Sequence, residues 1–399
     1  MGSQRVHYLD WLRLLAVLAV VVFHALLPFA RLAPWHIENV ERSETLGVLT
    51  VLLPFVFPVF FLLAGASARQ ALRTRTIGGF LVERTARLLV PFIVAAIVLV
   101  PPTDYVIALY NGSAPASFQA YLATLPGLVA DAVNIVGYGP VLFPVITMHL
   151  WFLAWLYLFC LLACPVFAFL SSPRGRSMVN RLAESAARPG ATLLLAGPSV
   201  LIAVALDGVS SPIGWDWAAF GIWAATFVSG YVLFSDERLI TAARRDLLPA
   251  MAGAALGIAG LAATGFTDSI LRGGTHAYDP TYVLVAGFQG LSSWAVTLTV
   301  ISAAMRVGFM QRPLPARANE LALPTYLLHF PIVIAISAVV VGLPLGLWPK
   351  AGLNVGLGLA TTLLVVAAAV RVPALRPLLG LRRPQARLGL DRAAPAALA

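Results

Sequence analysis

The sequence consists of long apolar runs separated by short segments rich in arginine. A helix needs roughly 20 apolar residues to cross the hydrocarbon core of a bilayer. The stretches that approach or reach this length are 9–30, 46–66, 88–102, 149–170, 190–207, 215–234, 247–267, 280–304, 321–342 and 351–370. We therefore predict an all-α, polytopic transmembrane helix bundle with about ten spans. Only 11% of the residues are charged and 60% are hydrophobic, so a soluble domain is excluded.

Two stretches have an alternative interpretation. The first apolar run follows a basic start and resembles a signal peptide, but it is long and contains Arg13 and His24. We therefore interpret it as a retained first span. Residues 103–148 contain several prolines, and we expect a loop with short interfacial or re-entrant helices there. An additional span in 122–147 is the alternative.

The basic residues predict the orientation of the bundle. With a cytoplasmic N-terminus and alternating spans, 22 of the 27 Lys and Arg residues fall on the cytoplasmic side. Because cytoplasmic loops are enriched in Lys and Arg, both termini are predicted to be cytoplasmic. Residues 1–370 then form the transmembrane domain, and 371–399 form a basic, disordered cytoplasmic tail. The arginines lie between apolar runs rather than on one basic face, which argues against a nucleic-acid partner.

Ionisable side chains within a span are costly and mark candidate functional sites. Arg13 and His24 are 11 residues apart, so they share one face of the first span and are separated by roughly 16 Å along its axis. Asp10, three residues before Arg13, lies on the same face. The alternative is an Asp10–Arg13 pair near the membrane interface and a histidine that is satisfied in the core.

A second candidate is the pair Arg84 and Arg87, just before the third predicted span. The i, i+3 spacing projects both side chains to the cytoplasmic mouth of that span. Two guanidinium groups suit the binding of phosphate. The alternative is a positive anchor that only fixes the orientation of the helix.

Further polar residues are weaker candidates. His329 and Tyr326 share a face of the ninth predicted span, His149 begins the fourth, and His36 and Glu38 lie in the first outer loop. Each histidine has an alternative as an ordinary core or interfacial residue. The sequence shows no metal-ligand spacing, so no metal site is predicted.

Together these motifs resemble the acyltransferase-3 family of bacterial membrane acyltransferases. The resemblance rests on Arg13 with His24, Phe60-Phe61-Leu62-Leu63-Ala64-Gly65, Arg84 with Arg87, Thr325-Tyr326-Leu327-Leu328-His329-Phe330-Pro331 and, more weakly, His149-Leu150-Trp151. The outer loop with Trp35, His36 and Glu38 is similar to the glucan-succinyltransferase branch. The sequence departs from the family at Ala64, where serine is frequent.

The resemblance implies an integral membrane O-acyltransferase of the bacterial plasma (inner) membrane. Such an enzyme moves an acetyl, succinyl or similar group from cytoplasmic acyl-CoA to a hydroxyl of a glycan, lipid or other envelope-associated acceptor. Arg84, Arg87 and Arg13 would bind the CoA phosphates, and the thioester would reach His24, which acts as a general base or as an acyl-carrying nucleophile. No cofactor besides the acyl-CoA co-substrate is implied.

Two questions stay open at the level of sequence. The residue that orients His24 could be Glu38, His36, His149 or Tyr326. A transporter or exporter of a lipid-linked glycan would account equally well for the spans and their polar groups, although it predicts an inverted repeat that the sequence does not show. A non-catalytic scaffold would instead tolerate alanine at Arg13 and His24.

Overall fold

The computed structural model describes residues 6–31, 35–47, 57–134, 147–206, 217–264, 280–315, 318 and 320–382. From the N-terminus, the first described helices are α1 (His7–Leu26), α2 (Phe57–Leu72), α3 (Ile77–Arg84), α4 (Val90–Val98), α5 (Val100–Tyr110), α6 (Phe118–Asn134), α7 (Trp151–Leu162) and α8 (Cys164–Ser171). They are followed by α9 (Pro173–Ser185), α10 (Gly197–Leu206), α11 (Trp217–Leu233), α12 (Glu237–Arg245), α13 (Leu247–Ala263), α14 (Pro280–Ala304), α15 (Ala322–Val340) and α16 (Leu347–Ala369). Over the described ranges there is no β-strand, which confirms the all-α prediction.

Each predicted span overlaps a described helix, but the predicted number of ten spans is not confirmed. Within the described residues, the segments long and apolar enough to cross a membrane are His7–Phe29, Ile77–Tyr110, Tyr282–Ala304, Ala322–Val340 and Leu347–Ala369. The bent pairs α7–α8 and α11–α12 raise their number from 5 to 7. The helices α2 and α13 and the segment Ala191–Leu206 are apolar but shorter than 18 residues. The chain is therefore a multi-pass membrane protein.

The third span differs most from its predicted limits of 88–102. It belongs to the helical segment Ile77–Tyr110, which is 34 residues long and includes a π-helical turn at Thr85–Leu89. Pro91 has no N–H to donate, and its ring collides with the carbonyl four residues earlier, that of Arg87. A π turn just before the proline widens the helix and accommodates this local defect.

The predicted loop at 103–148 is therefore partly helical. Residues up to Tyr110 continue the third span, and α6 follows at Phe118–Asn134. Residues 135–146 lie outside the described residues, so the alternative of an additional span in 122–147 stays untested.

Helices α2 and α11 pack closely through two glycines. A Cβ atom on Gly65 would lie 1.9 Å from the carbonyl oxygen of Phe227, and one on Gly230 would lie 2.2 Å from that of Leu62. Only glycine permits such an approach, which is typical of helix pairs in membranes. Gly65, the small residue at the end of the Phe60–Gly65 motif, thus allows the close packing of α2 against α11. This packing holds the α2 residues that reach the site described below.

The segment after α16 is described up to residue 382, and this part packs against the bundle. A short 3-10 helix, Pro377–Leu379, follows a turn, and Leu379 and Leu381 are buried. Arg376 forms an ion pair of 2.8 Å with Glu320. These apolar and ionic contacts attach residues up to 382 to the bundle, whereas 383–399 lie outside the described residues.

Candidate active site

A cavity of about 670 Å³ lies at the end of the bundle where α1 begins and the described chain stops. Its charged lining residues are Asp10, Arg13, Arg75, Glu83, Arg84, Arg87, Glu320 and Arg382. Farther in, its apolar and aromatic lining residues include Val17, Phe60, Leu63, Phe152, Leu156 and Tyr326. Arginines outnumber carboxylates in this lining, so the charged part of the cavity suits an anionic ligand.

Arg84 is the cation of this cavity that lacks a counterion among the described residues. The centre of its guanidinium lies 5.0 Å from the ring centroid of Phe80, and its Nε is buried without a hydrogen-bond partner. A buried guanidinium is normally paired, because removing the charge from water is costly. The side chain therefore leaves a positive charge at the cavity that no described carboxylate pairs within ion-pair distance.

Arg87 lines the same cavity but is held by protein groups. Its Nη1 lies 3.4 Å from Glu83, and its Nε donates to the carbonyl of Gly380 at 3.2 Å. The structure therefore brings Arg84 and Arg87 to one cavity, as their spacing predicts. Arg84 directly precedes the π turn and Arg87 lies within it, and the two side chains have different surroundings.

Arg13 joins α1 to α2 at the wall of the cavity. One guanidinium nitrogen donates to Asp10 at 2.6 Å and another donates to the hydroxyl of Ser67, also at 2.6 Å. Ser67 in turn donates to the carbonyl of Leu63 at 2.8 Å. The Asp10–Arg13 pair considered from the sequence is thus present, and both of its members line the cavity.

Four histidines gather around Phe330 at the other end of α1. The ring centroids of His149, His24, His36 and His329 lie 4.7, 5.2, 5.9 and 6.4 Å from that of Phe330. His329 and His149 are buried, whereas His24 and His36 are half-buried. The predicted site histidines are therefore brought together by α1, by α15, by the turn before α7 and by the loop that contains residues 35–47, which is named the outer loop after its predicted side.

The hydrogen bonds fix the tautomers of His24 and His329 in their neutral forms. Nδ1 of His329 lies 2.7 Å from the carbonyl oxygen of Tyr326, and a carbonyl only accepts, so this nitrogen carries the proton. Nε2 of His329 is then an acceptor for Nδ1–H of His24, at 3.2 Å. The carbonyl of Val20, 2.9 Å from the same Nδ1, also requires the proton there. The remaining nitrogen of His24, Nε2, keeps its lone pair.

A proline explains the position of His149. Pro331 lies inside α15 and cannot donate to the carbonyl of Leu327, four residues earlier. Nε2–H of His149 donates to that carbonyl instead, at 3.1 Å. Its Nδ1 then carries no proton, and this buried nitrogen has no hydrogen-bond partner among the described residues. The hydroxyl of Tyr326 donates to the main-chain carbonyl of His149, so α15 holds this residue at two points.

The backbone before His149 is strained. Met148 has a φ of 42°, in the left-handed region that a residue with a branched or long side chain rarely adopts. Such strain persists where surrounding contacts determine the conformation, and it is concentrated at functional sites. Here the strained turn aims His149 at α15.

The outer loop covers the histidine cluster but its carboxylate does not contact His24. The ring centroid of Trp35 lies 5.9 Å from that of His24. Glu38 accepts from the backbone N–H of Trp35 at 2.9 Å and from Arg42 at 2.7 Å. Burial lowers the pKa of His36, and the carboxylate of Asp104 opposes this shift. His36 is therefore a neutral ring that packs against Trp35 and Phe330.

Three further hydrogen bonds attach this loop to the bundle. Tyr110 donates to the carbonyl of Glu38 at 2.9 Å, and Asn111 donates to that of His36 at 3.3 Å. Lys350, at the start of α16, donates to the side-chain oxygen of Asn39 at 3.2 Å. These hydrogen bonds hold the described residues 35–47 against the bundle beside the cluster.

Tyr326 connects the cavity with the histidine cluster. Its side chain lines the cavity, and its ring centroid lies 5.9 Å from that of His329 and 6.0 Å from that of His149. Phe152, another lining residue, contacts the same ring at 5.7 Å. The apolar end of the cavity therefore adjoins the histidine cluster through the ring of Tyr326.

The described contacts select a partner for His24 that differs from the four suggested by the sequence. His329 is within hydrogen-bond distance of His24. For Glu38, His36, His149 and Tyr326, no hydrogen bond to His24 occurs in the described part of the chain. The motif around His329 drew attention to that residue, but its pairing with a residue 305 positions earlier is a property of the fold.

Several site residues were not predicted from the sequence. Glu83 precedes Arg84 directly and could have been found as the only carboxylate of that motif. Arg382 and Glu320 reach the cavity through packing of the C-terminal segment, for which the sequence offers no local signal. Within the described residues, no group of three or more His, Cys, Asp or Glu side chains could hold a metal ion.

The fold and this site define a multi-pass membrane protein with an arginine-lined cavity next to a histidine cluster. Residues 6–371 match the model of the acyltransferase-3 family, which is described as an acyltransferase domain. The chain belongs to this family and is a membrane acyltransferase. Comparison with curated proteins and with solved structures gives no match.

Proposed function

We propose that this enzyme transfers an acyl group from cytoplasmic acyl-CoA to a hydroxyl of a glycan, lipid or other envelope-associated acceptor at the bacterial plasma membrane. The observation that carries this proposal is Arg84, whose guanidinium faces the cavity without a carboxylate partner among the described residues. A phosphate of the donor would supply the missing counterion.

The shape and lining of the cavity support CoA as the carrier of the acyl group. CoA has phosphates at one end, a long and largely uncharged pantetheine arm, and the thioester at the other end. The cavity changes in the same order, from arginines to the apolar and aromatic residues that end at Tyr326. An extended arm measures on the order of 15–20 Å by bond-length reasoning. This is comparable with the separation of roughly 16 Å between Arg13 and His24 along α1.

In the proposed reaction, Nε2 of His24 removes the proton from the acceptor hydroxyl as its oxygen attacks the thioester carbonyl. A C–O bond forms, the C–S bond breaks, and the CoA sulfur leaves with the proton returned by His24. His329 holds the proton of Nδ1 in place and stabilises the imidazolium through its Nε2 acceptor. Nucleophilic attack by the same lone pair, through an acyl-His24 intermediate, is the alternative.

The acceptor would approach from the side of the outer loop. His24 lies beneath Trp35 there, at the end of α1 opposite the arginines. The half-buried ring of Trp35 provides a stacking surface for a sugar ring, and the half-buried His24 is the group that such an acceptor would meet.

The proposal is tested with wild type, His24→Ala and Arg84→Ala expressed at matched levels in bacterial membranes. Mass spectrometry of extracted glycans and lipids should show an acyl-sized mass addition with the wild type only, and the added mass identifies the acyl group. In detergent, the purified wild type should bind CoA. The purified Arg84→Ala variant should bind CoA more weakly than the wild type does. An addition that persists at the wild-type level in His24→Ala would contradict the role of His24. A wild-type protein that fails to bind CoA would contradict the donor.

A further inference from the structure

Glu83 is a carboxylate shared by three arginines at the cavity mouth. It accepts a hydrogen bond from Arg75, lies 3.4 Å from a guanidinium nitrogen of Arg87, and lies 3.7 Å from one of Arg382. The side chain of Glu83 is 17% exposed and that of Arg382 is 74% exposed. One negative charge therefore faces three positive charges, so the group as a whole still attracts an anion.

A glycine turn brings Arg382 to this group. Gly380 has a φ of +72°, and a Cβ atom there would lie 2.8 Å from the carbonyl oxygen of Arg87 and 2.5 Å from Leu323. The carbonyl of Gly380 also accepts from Arg87. Together with the Arg376–Glu320 ion pair of 2.8 Å, this turn fixes the segment so that Arg382 lines the cavity.

We propose that Arg382, together with Arg75 and Arg87, binds the phosphate on the ribose of CoA, and that Glu83 occupies this site until the phosphate displaces it. The inference rests on the proposed function. When the thioester lies near His24, the pyrophosphate falls beside the deeper Arg84, and the ribose phosphate is left for the outermost cations. This phosphate carries close to two negative charges, so it satisfies three guanidinium groups better than one carboxylate does.

This assignment implies that the enzyme distinguishes CoA from a ligand that lacks the ribose phosphate. A ligand without the ribose phosphate, such as 3′-dephospho-CoA, would leave Glu83 in its ion pairs. The enzyme should therefore bind CoA more tightly than 3′-dephospho-CoA. Since Arg382 is largely exposed, water screens its charge, and we expect it to contribute about threefold to tenfold in affinity rather than more.

The test measures the affinities of CoA and 3′-dephospho-CoA for the full-length enzyme in lipid nanodiscs by titration calorimetry. Arg382→Ala should bind CoA about threefold to tenfold more weakly and bind 3′-dephospho-CoA like the wild type. Arg371→Ala is the matched control, because it removes the same charge from the same segment outside the cavity lining. The control should bind both ligands like the wild type.

Glu83→Gln provides an independent readout, because it removes the competing charge and keeps the shape of the side chain. It should bind CoA more tightly than the wild type does, with little change for 3′-dephospho-CoA. An Arg382→Ala variant that weakens both ligands equally, or neither, would overturn the assignment of the ribose phosphate. Weaker CoA binding by Glu83→Gln would overturn the displacement. A wild type that binds neither ligand would instead refute the proposed donor.

Discussion

Pro331 and His149 meet at a single carbonyl group, that of Leu327. The proline leaves this carbonyl without its intrahelical donor, and Nε2–H of His149 takes the vacant position at 3.1 Å. A residue that is unfavourable within a helix thus creates the contact that fixes the tautomer of a buried histidine. The same helix, α15, carries His329 and Tyr326, so one proline helps to organise the cluster around His24.

Replacing Pro331 should separate stability from catalysis. In Pro331→Ala the new N–H of residue 331 competes with His149 for the carbonyl of Leu327. Helix propensity favours alanine by about 3 kcal/mol, so the melting temperature should stay unchanged or rise. The rate of acyl transfer should fall, because His149 loses its fixed orientation. Thermal unfolding and the transfer rate are measured on the same preparation, and a variant with both unchanged would contradict the role given to this carbonyl.

His329 should act as a positioning residue for His24. His329→Phe removes one of the two acceptors of Nδ1–H of His24, leaves the carbonyl of Val20 as the other, and keeps an aromatic ring. We expect kcat to fall about 10- to 100-fold, part of what general base catalysis contributes, with KM for the donor nearly unchanged. His329→Gln supplies an amide oxygen as acceptor and should recover part of the rate. If phenylalanine and glutamine give the same kcat, the hydrogen bond to His24 is not what matters at this position.

The sequence predicts chemistry along a helix better than contacts between helices. Asp10 and Arg13 are one turn apart, so their pairing follows from helix geometry and is found at 2.6 Å. The His24–His329 contact and the approach of Arg382 to Glu83 depend on how distant segments pack. Local periodicity carries no information about such pairs.

The limits of the third span are a second feature that was not predicted correctly from the sequence. Hydropathy places the third span at 88–102, whereas the helix begins at Ile77 and continues to Tyr110. Polar residues such as Glu83 and Arg84 lower the local hydropathy, so the prediction started too late. The helix tolerates them because their charged groups face the cavity. The π turn before Pro91 was likewise not predicted, since a proline within a helix is accommodated either by a kink or by a π turn and the sequence does not distinguish them.

Gly65 should be essential for the packing of α2 against α11. In Gly65→Ala the added methyl would lie 1.9 Å from the carbonyl oxygen of Phe227, so the two helices must separate. Overpacking of this kind costs about 1–3 kcal/mol, and the melting temperature should fall. Gly356→Ala is the control, because a Cβ there meets nothing within 4 Å. Equal melting temperatures for the two variants would contradict the close approach.

His36 should make the stability of the outer loop depend on pH. Burial lowers its pKa below the ordinary value, so the unfolded chain binds the proton more readily than the folded protein does. The stability from the neutral ring is therefore present above the ordinary pKa of about 6.5 and is lost as the pH falls through the lowered folded-state pKa.

The corresponding measurement is the melting temperature between pH 7.5 and pH 5. The wild type should lose more stability on acidification than His36→Gln, because the glutamine side chain does not bind a proton in this pH range. Asp104 limits the difference, because its carboxylate favours the charged imidazole. An acid loss that is identical in both proteins would mean that the proton binds elsewhere. A larger loss in His36→Gln would reverse the sign of the predicted linkage, and the ring of His36 would then be charged rather than neutral in the folded protein.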